Sequence, residues 1–179
     1  MTNVLFISED MLRSNTELSN NLWSKSLLPA IRTAQDLYLQ EYLGSCLYNK
    51  ITELISTNTI SEEENVQYKD LLDEYITPYL IERVVADVIP IVGSKIVNLG
   101  VMKSSDEHVQ NIGAGEVDRL VQLHVIKADH YAKRMQHFLN ENREAFPELN
   151  TCGCGDIKPT LDSAADCSIY LGGVRGRRI

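Results

Sequence analysis

Apolar residues return every three or four positions along most of this chain, the period of a helix with one buried face. Leu27, Ile31, Ala34, Tyr38 and Tyr42 form one such stripe, widened by Leu28, Leu39 and Leu43. It predicts a helix starting near Ser26, with Pro29 in the first turn, where a missing N–H is harmless. Gly44 supplies a break, and Ser45 can cap a second helix carrying Leu47, Tyr48, Ile51, Leu54 and Ile55. The stretch AQDLYLQEYLGSCLYNKI therefore reads as two amphipathic helices meeting at a glycine corner.

Further along, Ser61 followed by Glu64 has the form of a capping box, ahead of Tyr68, Leu71, Leu72, Tyr75 and Ile76. Thr77-Pro78 reads as a kink or as the start of a new helix. From Tyr79 to Val88 the chain is apolar on nearly all sides, as expected of a central helix, until Pro90 and Gly93 disrupt it. Lys95 to Gln110 mixes β-branched residues with Asn, Gly and Ser and predicts an extended excursion or β-hairpin. A last helix from about Ala114 to Ala145 carries the stripe Val117, Leu120, Val121, His124, Ala128, Tyr131, Met135 and Phe138.

The expected fold is mainly α, a bundle of about four to five helices with one excursion and an extended C-terminal tail. Residues 1–26 read as an N-terminal arm: VLFI as a short strand or turn, a cap at Ser8 or Asp10, then a polar stretch. Residues 27–146 read as the helical domain, with its excursion at about 95–112. Residues 147–179, rich in Gly, Cys, Ser, Asp and Thr, read as a tail without a core of its own.

Composition narrows the function classes. The chain has 179 residues, 44% hydrophobic and 23% charged, with a formal charge of −8. That charge disfavours non-specific nucleic-acid binding over the whole surface. MTNVLFISED lacks the basic region of a secretory leader. Glu82, Arg83 and Asp87 would be costly in a bilayer, so no membrane contact is expected. Four cysteines do not make a disulfide framework for this length, which points to a reducing compartment.

No nucleophile elbow, Walker loop or dinucleotide fingerprint is present. Cys152, Cys154 and Cys167 are the weak candidates for a metal, since their spacing departs from structural zinc sites and no nearby His completes a set. No cofactor is expected. His124, His130 and His137 share the last helix without the i, i+4 spacing of a zincin, and Asp129, Lys133 and His137, like His130 and Arg134, sit at ion-pair spacing. Gly113-Ala114-Gly115 reads as a flexible lead into that helix, and the run Glu62–Glu64 with Asp70, Asp73 and Glu74 as a solvated face. At the C-terminus, Arg175, Arg177 and Arg178 alternate with glycine. They suit a frayed end, a docking arm for an acidic groove, or phosphate contacts with passing DNA.

The order of elements, carried by LLPAIRTAQDLYLQEYLGSCLYNKI, NTISEEENVQYKDLLDEYITPYLIERVVADVIP and YAKRMQHFLNENREAFPE, resembles the head–tail connector (adaptor) proteins of tailed bacteriophages. It resembles in particular the versions in crAss-like and related phages of Bacteroides, over roughly Ile7 to Glu148. The resemblance implies a non-enzymatic virion protein at the neck, waiting in the host cytoplasm before assembly. It implies neighbouring copies in a ring of about twelve, closed head-to-tail by rotational symmetry. Its partners would be the portal protein above, the next tail or ring protein below, and packaged DNA in the channel. On the same likeness Lys95, Val97, Val101 and Lys103 belong to an inter-subunit element, and Arg175, Arg177 and Arg178 to a docking arm. The rival readings are an enzyme with a histidine-containing site and a small DNA-associating helical protein.

Overall fold

In the computed structural model the chain forms α1 (Glu9–Ser14), α2 (Ser24–Thr33), α3 (Gln40–Ser56), α4 (Val66–Asp70) and α5 (Thr77–Val92). A hairpin of β1 (Ser94–Val97) and β2 (Gly100–Lys103) and the long α6 (Ala114–Glu141) follow. The structure describes residues 4–16, 24–92, 94–97, 100–103, 114–150 and 156–161. The fold is mainly α, a helical bundle, as the apolar period dictates. α5 lies at its centre, packed along α6 and also against α2. Its Leu80, Val84 and Val88 are fully buried, which is why this helix is apolar on so many sides.

Two π turns set the phase of the helices. One, Ala34–Leu39, joins α2 to α3, and the other, Leu71–Ile76, joins α4 to α5. A π turn takes one more residue than an α turn and rotates everything after it. The buried positions accordingly run Leu27, Ile31 and Ala34, then step on to Leu39, Leu43, Leu47 and Ile51. Tyr38 and Tyr42, expected on the stripe, end at its margin, and Leu28 is exposed. At the second π turn the backbone passes through Thr77 at φ −58°, ψ −51° without leaving helical geometry. Thr77-Pro78 therefore marks the first residues of α5 while the backbone stays helical through it, so Thr77 does not act as an N-cap.

Several end signals resolve differently from their sequence pattern. α2 begins at Ser24, so Pro29 lies inside it and not in its first turn. The capping box at Ser61 and Glu64 does not form: Glu63–Asn65 is a 3-10 turn, and no side chain caps either that turn or α4. Asn65 Nδ2 donates instead to the Thr59 carbonyl at 3.0 Å. α6 ends at Glu141, short of Ala145, and its first half leaves the core, with Leu120 42% exposed.

The N-terminal residues are tied in more firmly than an arm. Ser8 Oγ caps α1 by accepting from the Met11 N–H, and Phe6, Ile7 and Leu12 are core residues. Val4 to Ile7 forms no strand; Gln35 holds it. The first π turn turns this glutamine inward, 1% exposed, where its Oε1 accepts from the Phe6 N–H at 2.8 Å and its Nε2 donates to the Val4 carbonyl at 3.3 Å. Gln35→Ala would strand the buried Phe6 N–H, and thermal or urea unfolding should show a loss of about 1–3 kcal/mol.

Burial of the phenols gives the fold a pH limit. Desolvation pushes the Tyr48 phenol up to about 12, with the neighbouring Asp36 adding to the rise. It also raises Tyr68, helped by Glu148, and Tyr79, helped by Tyr42. A folded pKa above the unfolded value of about 10 favours the native state fully below that pH. Above it the unfolded chain ionises first. Urea unfolding near neutral pH and at about pH 11 should therefore show stability falling on the alkaline side.

Candidate functional site

Two features stand out on the surface, and both come from helices that end or part early. The first follows from the mismatch between α5 and α6. Where α6 runs beside the last turns of α5, Leu120, Leu123 and Ile126 are 42%, 49% and 64% exposed, and Ile91 of α5 is 45% exposed. Val85, Ile89, Leu120 and Leu123 form the apolar lining of an open groove of about 780 Å³, which Ser14, Asn15 and Thr16 at the end of α1 also line. The ionisable residues in it are Glu82, His124 and Lys127. His124 Nδ1–H donates to Glu82 Oε2 at 2.6 Å, and Lys127 Nζ lies 3.7 Å from Glu82 Oε1. One carboxylate thus faces two basic groups across the α5–α6 seam, which orients both helices and fixes the imidazole.

The histidines do not converge. His130 and His137 are exposed and lie with Lys133 and Arg134 around a second, shallower depression floored by Tyr75 and Phe138. His137 pairs with Glu141 at 3.3 Å, while Arg134 sits over the Tyr75 ring at 5.0 Å. Those are the partners found in place of the Asp129–Lys133–His137 and His130–Arg134 spacings. Among the described residues no group of three or more His, Cys, Asp or Glu is placed to hold a metal ion. No described helix is long and apolar enough to cross a membrane.

The excursion is a two-stranded antiparallel hairpin. Lys95 pairs with Met102, Val97 with Gly100, Val101 with Ile96 and Lys103 with Ser94. It follows α5 directly in the chain, and β1 packs against α5. Cys152, Cys154, Cys167, Arg175, Arg177 and Arg178 lie outside the described residues, as do the excursion's residues 98–99 and 104–112.

The second feature is a notch in α3. Gly44 adopts φ 72°, ψ 161°, which parts the helix into two halves and confirms the corner expected from the sequence. The segment 156–161 crosses it as a strap. Thr160 N–H donates to the Glu41 carbonyl at 2.9 Å, and Ser45 N–H donates to the Ile157 carbonyl at 2.9 Å. The Ser45 hydroxyl, expected to cap the second helix, accepts from the Ile157 N–H at 3.1 Å and from Gln40 Nε2 at 3.2 Å. Gln136 of α6, only 5% exposed, donates its Nε2 to the Thr160 carbonyl at 2.7 Å. Sequence reading finds Gly44 and Ser45 but not their partners, because nothing in a local pattern couples them to a segment more than a hundred residues away. Glu82 is missed for the same reason: its role depends on which helix lies beside it.

Residues 39–159 match the model of a family of unknown function, DUF6712, and the chain belongs to that family. The matched stretch takes in the notch, α5, the hairpin and α6, and it reaches Pro159 of the strap. No curated protein matches the chain, and no solved structure does.

Proposed function

We propose that this member of the DUF6712 family is a structural assembly protein, a head–tail connector of a tailed bacteriophage that forms a ring beneath the portal. The observation that carries the proposal is the groove end of the bundle. There the α6 face keeps Leu120, Leu123 and Ile126 open to water, and α5 is followed by an antiparallel hairpin that packs against it. Contiguous exposed apolar side chains beside polar ones are what a protein interface needs. The resemblance of the helical segments to phage connectors supplies the kind of assembly. In this reading the copies meet head-to-tail around the virion axis, bridge the portal to the next tail component, and surround the packaged DNA without reading its sequence. The subunit waits in the host cytoplasm and ends in the neck of the virion. It has no catalytic role.

Native mass spectrometry of the full chain, alone and with the portal protein, tests this. A closed oligomer of defined stoichiometry is expected, as is the chain's presence in purified virions. A monomer under both conditions would sink the proposal. Leu123→Lys with Ile126→Lys should abolish the oligomer while changing monomer stability by no more than about 0.5 kcal/mol per site, since both side chains are exposed.

The Glu82–His124–Lys127 cluster favours one second reading, an enzyme that uses His124 as a proton carrier in the groove. His124→Ala separates the two. A connector keeps its assembly, whereas an enzyme loses turnover of whatever substrate fits the groove.

A further inference from the structure

The notch at Gly44 is filled by an extended segment of the same chain, residues 156–161. Parting a helix leaves a carbonyl on one half and an N–H on the other without helical partners. Here they are the Glu41 carbonyl and the Ser45 N–H, and both are taken by the strap's backbone, at Thr160 and Ile157. Gly44 provides clearance: a Cβ there would lie 2.7 Å from Pro159 Cδ and 2.8 Å from Pro159 N. Gln136 closes the site from α6. Backbone pairing with one proline packed on a glycine is recognition of the kind seen when a strand is added to a sheet edge.

The strap is also shallowly held. Asp156, Ile157, Lys158 and Thr160 are exposed, and only Pro159 and Leu161 are half-buried. A segment with few buried contacts opens at low cost in free energy. Residues 151–155 join it to Asn150, and a chain of that length spans at most about 20 Å. Every copy carries one notch and one strap of identical sequence. The contacts made within a copy are therefore equally available between copies, and effective concentration decides between them.

We propose that on assembly the strap of each copy leaves its own notch and fills that of the adjacent copy, so that the partner of this site is a second copy of the chain. Because the donor surface (the strap) and the acceptor surface (the notch) differ, the contact is heterologous and propagates in one direction, as ring closure requires. The inference rests on the ring reading above. It also places the neighbour's notch within about 25 Å of Asn150, the reach of the chain to Ile157.

The test uses full-length chain with p-benzoylphenylalanine in place of Ile157, prepared in light and nitrogen-15 forms that are mixed as monomers and then assembled. After irradiation, cross-links from the strap to residues 41–46 are sorted by isotope. Light–heavy pairs in the oligomer, with none in the monomer, are expected. Light–light and heavy–heavy pairs alone in the oligomer would overturn the exchange and leave the ring standing. Absence of any oligomer, with or without portal protein, would overturn both. A second variant, Thr160→Pro, deletes the N–H that meets Glu41 without touching the core. That bond is made once whether the strap lies in its own notch or in a neighbour's, so its loss should speed the appearance of light–heavy pairs and leave the assembly equilibrium unchanged, and a rate equal to that of the parent chain would also overturn the exchange.

Discussion

Gly44→Ala is expected to lower the unfolding free energy by about 3 kcal/mol, more than a small polar-to-apolar change elsewhere on the surface would. Two effects add. At φ 72°, ψ 161° the residue occupies a region that is essentially restricted to glycine. The new Cβ would also meet Pro159 at 2.7 Å, and because the nearest atoms belong to a proline ring and backbone, no side-chain rotation relieves the clash. The strap would have to lift, leaving the Glu41 carbonyl and the Ser45 N–H to water. Urea unfolding gives the energy, and amide exchange at Ser45 and Thr160 should speed up together if the strap is what yields. Gly115 is the control: nothing lies within 4 Å of its ideal Cβ, and it sits inside α6. Gly115→Ala should be neutral or stabilising by about 0.5–1 kcal/mol. A loss below about 1 kcal/mol at Gly44 would mean that the notch tolerates a side chain and that the strap is not packed into it.

Phe146→Ala should cost about 3–5 kcal/mol, the range for deleting a fully buried aromatic ring. Phe146 is 0% exposed, although it follows the end of α6 and immediately precedes Pro147. Its ring meets Tyr68 edge-on at 5.5 Å and Phe138 at 6.0 Å, and Tyr75 stacks on Phe138 at 4.2 Å. Phe146 thereby joins α4 to the end of α6, and Phe138 carries the ring contacts on to Tyr75 of the second π turn. The Tyr68 hydroxyl, whose ring packs on Phe146, donates to Glu148 at 2.9 Å, so the same deletion loosens the 3-10 turn Pro147–Leu149. Differential scanning calorimetry reads the loss directly. Phe146→Leu should recover about half of it, because it refills most of the volume while losing both edge-on ring contacts. If Leu and Ala cost the same, ring geometry and not volume holds this corner.

Most of the helical architecture can be read from local pattern. The apolar period locates α2, α3, α5 and α6, the density of branched residues in Tyr79 to Val88 identifies α5 as central, and Gly44 marks the corner. The β-branched, glycine-containing stretch after Gly93 shows where a hairpin can form. These signals are legible because each reports a choice that a few neighbouring residues settle among themselves: a backbone angle, a face, a cap, a break. The absence of nucleophile, phosphate-binding and zincin motifs is equally local.

What the pattern does not carry is phase and partnership. An inserted π-turn residue leaves the composition unchanged yet rotates every following side chain, so Gln35 turns inward and Tyr42 moves to the margin of the core against the simple period. The same residue types at Leu120, Leu123 and Met135 look alike in one helix. Only the length and placement of α5 decide that Met135 is buried while Leu120 and Leu123 stay at the surface. Glu82 and His124, and Ser45 and Ile157, meet because separate elements are laid side by side, with 42 and 112 residues between the partners. By itself the sequence determined a mainly helical bundle with a glycine corner, a central apolar helix and an excursion, since short-range sterics and burial periodicity are written residue by residue. The tertiary structure alone decided which apolar face remains open and which segment fills the notch, because those depend on packing between parts of the chain that have no local knowledge of each other.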